Sequence, residues 1–193
     1  YRELLATDRF IASELTTAFQ TAVFFAMMGF IAYSFERMSI SPKEFGVWMA
    51  TTSVGYVIGN LANKRLLNRY RIEIITFVGA IASLMCLLLM EIWHSTAPNS
   101  PMGLAIPMLL VGLSNGVIIA NSIIIASSAI PRLRGSATGL VGAMQMGAGG
   151  IAGTVAIWLG ADQDTNVGIL TLLVMRFCSL ISAWWSSRLQ QLQ

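Results

Sequence analysis

The chain has 193 residues, a formal net charge of +3 and a mean hydropathy of +0.70. Of its residues 55% are hydrophobic and only 11% are charged, whereas soluble domains carry about 25% charged residues. This composition excludes an ordinary soluble domain and is typical of a membrane protein. The basic residues lie in short stretches between apolar runs, which excludes the continuous basic face of a nucleic-acid-binding protein.

Catalytic and metal-binding signatures are absent from the sequence. It has no P-loop, no GxSxG and no HExxH, and its single histidine, His94, is expected to be solvated at the edge of an apolar run. Cys86 and Cys178 both lie inside apolar segments, which argues against a disulfide framework. We therefore predict that the chain is not an enzyme and holds neither a metal nor a cofactor.

Six apolar segments, each close to the ~20 residues that cross ~30 Å of hydrocarbon, are predicted to be transmembrane helices. They cover residues 10–34, 44–64, 72–93, 102–129, 135–160 and 166–186. The second has Ser41 as N-cap, Pro42 at the first helical position and Glu44 at the third, a typical helix start. The sequence thus predicts an all-α membrane protein.

Loop charge predicts the orientation. With both ends in the cytoplasm, the outside loops hold only Arg37 and Lys43. The inside then holds nine basic residues: Arg2, Arg9, Lys64, Arg65, Arg69, Arg71, Arg132, Arg134 and Arg188. The positive-inside rule favours this arrangement and with it six spans. Because the chain begins with Tyr1 and shows no signal-peptide pattern, we interpret it as a piece of a longer protein.

Polar and small residues form stripes on three of the predicted helices, whereas the third segment is apolar nearly all round and is predicted to face mainly lipid. An unpaired amide facing lipid is costly, so these stripes should point into the bundle. The stripes comprise Glu14, Thr17, Gln20 and Thr21 on the first helix, Thr52, Gly55, Gly59 and Asn63 on the second, and Ser114, Asn115, Asn121, Ser122 and Ser128 on the fourth.

The fifth segment carries glycines on one helical face, interrupted by Gln145 about midway along the apolar run. Such a face allows close approach of another helix. It is either a packing contact only or a moving contact beside a substrate path. The glycines concerned are Gly135, Gly139, Gly142, Gly149 and Gly153.

Two embedded charges and two basic loops leave alternatives open. Glu14 either reaches water or Arg9 at the interface, or is a proton-sensitive group at the inner mouth of a path. Arg176 either pairs with helix carbonyls or a carboxylate, or faces a cavity and holds anionic groups. The loops either anchor the inner face or control an inner gate; their cations are Lys64, Arg65, Arg69, Arg71, Arg132 and Arg134.

The chain resembles the C-terminal half of a major facilitator superfamily transporter, most like the Bcr/CflA branch of drug:proton antiporters. The resemblance is carried by YRELLATDRF, by GNLANKRLLNRY and above all by GLSNGVIIANSIIIASSAIPRLRGSATGLVGAMQMGAGGIAGT. In the last stretch the matching positions are Asn115, Gly116, Asn121, Pro131, Gly135, Ala137, Thr138, Gly139, Gln145 and Met146. One departure is Asn63, which stands where the superfamily's inside-loop motif has an aspartate.

The resemblance implies a six-helix half made of 3+3 inverted repeats, a missing N-terminal half, and alternating access by rocking of the two halves. The first, second, fourth and fifth helices would then face the cavity or the other half. We expect Gln20, Asn115, Asn121 and Gln145 to be polar groups of the substrate cavity, with Phe24 and Met146 as apolar walls.

Three functions remain open at this stage. The first is efflux of amphipathic small molecules driven by proton entry, in the inner membrane of a bacterium. The second is export of a natural metabolite or siderophore by the same machinery. The third is a membrane scaffold or sensor that transports nothing. Polar amides on three separate helices favour transport, since a scaffold has no need of them.

Overall fold

A computed structural model describes residues 2–189, and every regular element within them is helical. This confirms the all-α prediction. The elements in chain order are α1 (Arg2–Leu5), α2 (Asp8–Arg37), α3 (Pro42–Leu66), α4 (Ile72–Thr96), α5 (Pro101–Ser128), a 3-10 turn (Pro131–Leu133), α6 (Arg134–Trp158) and α7 (Thr165–Leu189).

The six long helices correspond one to one with the predicted segments, and their ends lie within about three residues of the predicted ones. The start of α3 shows why helix ends can be predicted from local sequence. Ser41 Oγ accepts from the Glu44 backbone N–H at 3.3 Å, and Glu44 Oε2 accepts from the Ser41 N–H at 3.1 Å. This capping box satisfies two backbone donors that the helix itself leaves unpaired.

Five of the six long helices are apolar enough to cross a membrane, and α3 is not among them. At 25 residues α3 would extend about 37 Å, which is sufficient length. Its middle, however, carries Thr51, Thr52 and Ser53 in succession, and Asn60 and Asn63 follow. The structure thus confirms a multi-helix membrane fold, while α3 fits the predicted sixth span by length and not by composition.

Helix packing follows the pattern expected of an inverted repeat. The contact of α3 with α5 has its counterpart in the contact of α6 with α2, and α4 on α5 has its counterpart in α7 on α2. Exchanging α2 with α5, α3 with α6 and α4 with α7 turns each of these four contacts into its counterpart. The remaining main contacts, α2 with α5 and α4 with α7, are each unchanged by this exchange, because it swaps their two members.

Close backbone approach occurs where α3 crosses α5. A Cβ atom added to Gly59 would lie 2.0 Å from the Leu113 carbonyl oxygen, and one added to Gly55 would lie 2.2 Å from the Leu109 oxygen. The reverse side of the contact is equally tight, because Gly112 and Gly116 of α5 meet the backbone of α3. Only glycine fits at such distances, as in other membrane helix pairs with small residues at the interface.

The glycine face of α6 packs against another helix of the described chain only in its C-terminal half. Gly135, Gly139 and Gly142 have no atom within 4 Å of an added Cβ. Gly149 meets the Phe25 ring, and Gly153 lies at ordinary contact distance from the Phe25 carbonyl oxygen. In the part of the chain that the structure describes, the tight contact of glycine against backbone therefore belongs to α3 and α5, and the glycines in the N-terminal half of α6 are open.

Helix α4 is exposed over most of its surface but has one buried stripe, which packs on α5 and α7. From Thr76 to His94 its buried residues recur at alternating steps of four and three, which keeps them on one helical face. His94 belongs to this stripe and is 7% exposed, so the expectation that it is solvated is wrong. The reason is its register: His94 lies seven residues after Leu87, which is fully buried.

Replacing Gly59 with alanine should separate α3 from α5, because the added methyl group would overlap the Leu113 carbonyl. We expect a destabilisation of about 1–3 kcal/mol, measured as a lower thermal unfolding midpoint of the purified full-length protein. The matched control is Gly46→Ala in the same helix, where an added Cβ meets nothing within 4 Å. Equal midpoints for the two variants would show that the close approach does not support the fold.

Candidate functional site

A cavity of about 390 Å³ lies between α2, α3, α5 and α6. Its volume falls within the ~300–1,000 Å³ range of small-molecule sites. These are the four helices that the resemblance places at the cavity or the other half. The lining residues are Thr21 and Phe24 of α2, Thr52, Ser53, Tyr56 and Val57 of α3, Gly112, Asn115 and Ile119 of α5, and Gln145 and Met146 of α6.

Four of the six predicted cavity residues meet here. Phe24, Asn115, Gln145 and Met146 come from three helices that are far apart in sequence, and all four line the cavity. Tyr56 was missed by sequence reasoning. The signal was present, because Tyr56 follows Thr52 by four residues and so lies on nearly the same face of α3.

Gln20, the fifth predicted residue, lies behind the cavity. It is fully buried and donates from its amide nitrogen to Asn115 Oδ1. Its own Oε1 accepts from Ser179 Oγ at 3.4 Å, and the same hydroxyl donates to the Thr16 carbonyl oxygen at 3.2 Å. A hydrogen-bonded chain therefore runs from α7 through α2 to α5, and it holds the Asn115 side chain at the cavity wall.

Asn121, the sixth, lies elsewhere. Its amide and that of Asn63 form a reciprocal pair: Asn63 Nδ2 donates to Asn121 Oδ1 at 2.8 Å, and Asn121 Nδ2 donates to Asn63 Oδ1 at 3.0 Å. Both side chains are buried, and neither lines the cavity. The structure thus places Asn121 in the contact between α3 and α5 and not in the cavity predicted for it.

Some polar atoms of the cavity lining remain unpaired. Within residues 2–189, Gln145 Nε2 and the hydroxyl oxygens of Thr21 and Thr52 are buried and have no hydrogen-bond partner. The rest of the lining is mainly apolar and aromatic. The cavity therefore combines an apolar wall with a few polar side chains whose buried atoms lack a partner, a composition typical of a small-molecule site.

The two embedded charges lie apart from this cavity. Glu14 and Arg176 are fully buried, and neither lines it. In the described part of the chain both Glu14 oxygens and all three Arg176 nitrogens are without a hydrogen-bond partner. Glu14 is thus neither exposed to water nor paired with Arg9, and Arg176 has none of the carbonyl or carboxylate partners that one alternative expected.

The inner-loop basic residues lie at one end of the bundle, where α3 and α5 end and α4 and α6 begin. Arg132 forms an ion pair with Glu3, which joins the loop before α6 to α1. Arg71 Nε lies 3.8 Å from Glu73 Oε2 at the start of α4. The other four predicted members, Lys64, Arg65, Arg69 and Arg134, are exposed at the same end.

Long apolar helices around a small-molecule-sized cavity are typical of a polytopic membrane protein that binds small molecules. A sequence model of the Major Facilitator Superfamily matches residues 10–190, which is nearly the whole chain. The chain belongs to this superfamily of secondary transporters. A comparison with curated proteins finds no match.

The Asn63–Asn121 pair gives a prediction about stability. Asn121→Leu alone should destabilise the protein by about 1–3 kcal/mol, because it leaves the Asn63 amide buried and unpaired. The double variant Asn63→Leu/Asn121→Leu should recover most of that loss, since no polar group is then stranded. Thermal unfolding of the purified full-length variants measures both. A double variant less stable than the single one would contradict a purely structural pair.

Proposed function

We propose that this chain is the C-terminal half of a bacterial inner-membrane transporter that exports amphipathic small molecules in exchange for protons. The observation that carries the proposal is the cavity, with its apolar wall and unpaired polar groups. Both chain ends would be cytoplasmic, and an N-terminal six-helix half would precede the chain. The similarity to the Bcr/CflA branch, noted from the sequence, favours drugs as substrates.

The cavity is open on the side where a second half would lie. Met146, one of its walls, is 59% exposed, and Gly135, Gly139 and Gly142 of the same helix face open space. An apolar surface and small residues facing outward together suit contact with another helical body. Alternating access would bring that surface and the second half together and apart.

The competing functions share parts of this picture. Export of a natural metabolite or siderophore would use the same cavity and differ only in the substrate. A scaffold or sensor would have no use for buried donors without partners, because each one costs stability. Gln145 Nε2 therefore favours transport over a scaffold.

Proteoliposomes that contain the full-length protein test the proposal. We expect an imposed pH gradient to drive movement of ethidium, an amphipathic cation, and a collapsed gradient to abolish it. Gln145→Leu should weaken the apparent affinity about fivefold for substrates that accept a hydrogen bond, the value of one such bond. Gln163→Leu, the same change in a loop outside the cavity, is the control. Ethidium transport at the same rate with and without the pH gradient would exclude proton antiport.

The open face of α6 gives a second test. Gly142→Leu should reduce transport strongly while insertion and thermal stability stay unchanged, because a Cβ added there meets no atom of the described residues within 4 Å and the longer side chain would obstruct the proposed second half. Gly147→Leu is the control: its surroundings are equally open, but it lies about 140° around the helix. Gly149 is unsuitable for this test, since a side chain there would clash with the Phe25 ring. Equal transport by both variants would contradict the proposed contact.

A further inference from the structure

A second, apolar groove lies at the basic end of the bundle, between the end of α3, the first half of α4 and α5. Its volume is about 280 Å³. Two of its residues on α4, Ile74 and Val78, are 50% and 56% exposed, so the groove faces the surroundings of the bundle. The lining residues are Leu66, Tyr70, Ile74, Ile75, Val78, Gly79, Ala82, Leu113, Ser114 and Val117.

A basic cup continues this groove at the level of the loop between α3 and α4. The cup is lined by Arg65, Leu66, Asn68, Arg69 and Tyr70, so that Leu66 and Tyr70 belong to both cavities. In residues 2–189 the ion pairs are Arg71 with Glu73 and Arg132 with Glu3, and neither includes Arg65 or Arg69. Two guanidinium groups without a carboxylate partner therefore stand at the mouth of an apolar groove.

We infer that groove and cup together bind one anionic phospholipid, with its phosphate at Arg65 and Arg69 and an acyl chain in the groove. The site is cationic at the loop and apolar between the helices. It therefore matches a phospholipid, which has an anionic phosphate next to hydrocarbon chains. From Ile74 to Ala82 the groove extends about 12 Å along α4. That covers most of the ~15 Å hydrocarbon depth of one leaflet.

The surrounding groups favour an anion. Helix α4 begins at Ile72 with no side-chain cap on its first backbone N–H groups, and a helix N-terminus attracts negative charge. The nearest carboxylate, Glu73, is 8% exposed and faces Arg71. Basic pockets between helices at the cytoplasmic surface are the typical place for anionic headgroups. The inference does not depend on which substrate the protein transports.

Native mass spectrometry of the full-length protein in detergent tests the site with two added lipids, phosphatidylglycerol and phosphatidylcholine. We expect phosphatidylglycerol to be retained preferentially. Arg65→Gln/Arg69→Gln should weaken its binding roughly 30-fold, because each cation near the surface contributes about fivefold to the affinity and two are removed. Arg134→Gln, another exposed cation of the same end, should have no effect, and Arg65→Lys/Arg69→Lys should retain most of the preference.

The groove has a separate test. Ala82→Trp should fill it and lower retention of both lipids, whereas Met85→Trp, which lies on α4 outside the groove, should not. Circular dichroism and a monodisperse elution profile show that each variant is folded. Excess inorganic phosphate should not displace the lipid. Equal retention of the two lipids, displacement by phosphate alone, or an equal loss in Arg134→Gln would overturn the inference.

Discussion

Much of this helix bundle depends on the close approach of α3 to α5. The hydrocarbon core of a membrane offers little hydrophobic force between helices, so their association depends on close van der Waals contact and on hydrogen bonds. Glycines on both helices supply the contact, and Gly59 against the Leu113 carbonyl is its tightest point. The same approach brings the Asn63 and Asn121 amides within bonding distance. It also fixes the position of the α3 wall of the cavity.

Buried amides are used in two ways in this protein. Asn63 and Asn121 bond each other reciprocally, so each amide oxygen and each amide nitrogen has a partner away from water. Asn115 is held from behind by Gln20, and Gln145 is left with an unpaired nitrogen at the cavity. The first arrangement stabilises a helix contact, and the second leaves hydrogen-bonding capacity unused beside the cavity.

The extent of the helices could be predicted from sequence because apolar runs and caps are local features. Ser41 and Glu44 identify the start of α3 without any knowledge of its neighbours. Which amide reaches the cavity could not be predicted, because it depends on how α5 is rotated against three other helices. Asn115 and Asn121 lie about 120° apart around α5, so one faces the cavity and the other faces α3. The burial of His94 likewise depends on how α4 is rotated against its neighbours, which places the register shared by Leu87 and His94 on the buried face.

The two contacts that the approximate symmetry relates are not equally tight. Where α2 meets α6, an added Cβ at Gly29 would lie 3.6 Å from the Gly153 oxygen, an ordinary distance, against 2.0 Å where α3 meets α5. A methyl group thus fits at Gly29 but not at Gly59, although Gly149 of the α2–α6 contact is itself tight against the Phe25 ring. The two contacts therefore differ in the substitutions that they tolerate: alanine is compatible with the backbone spacing at Gly29, whereas at Gly59 it would overlap the carbonyl group of the facing helix.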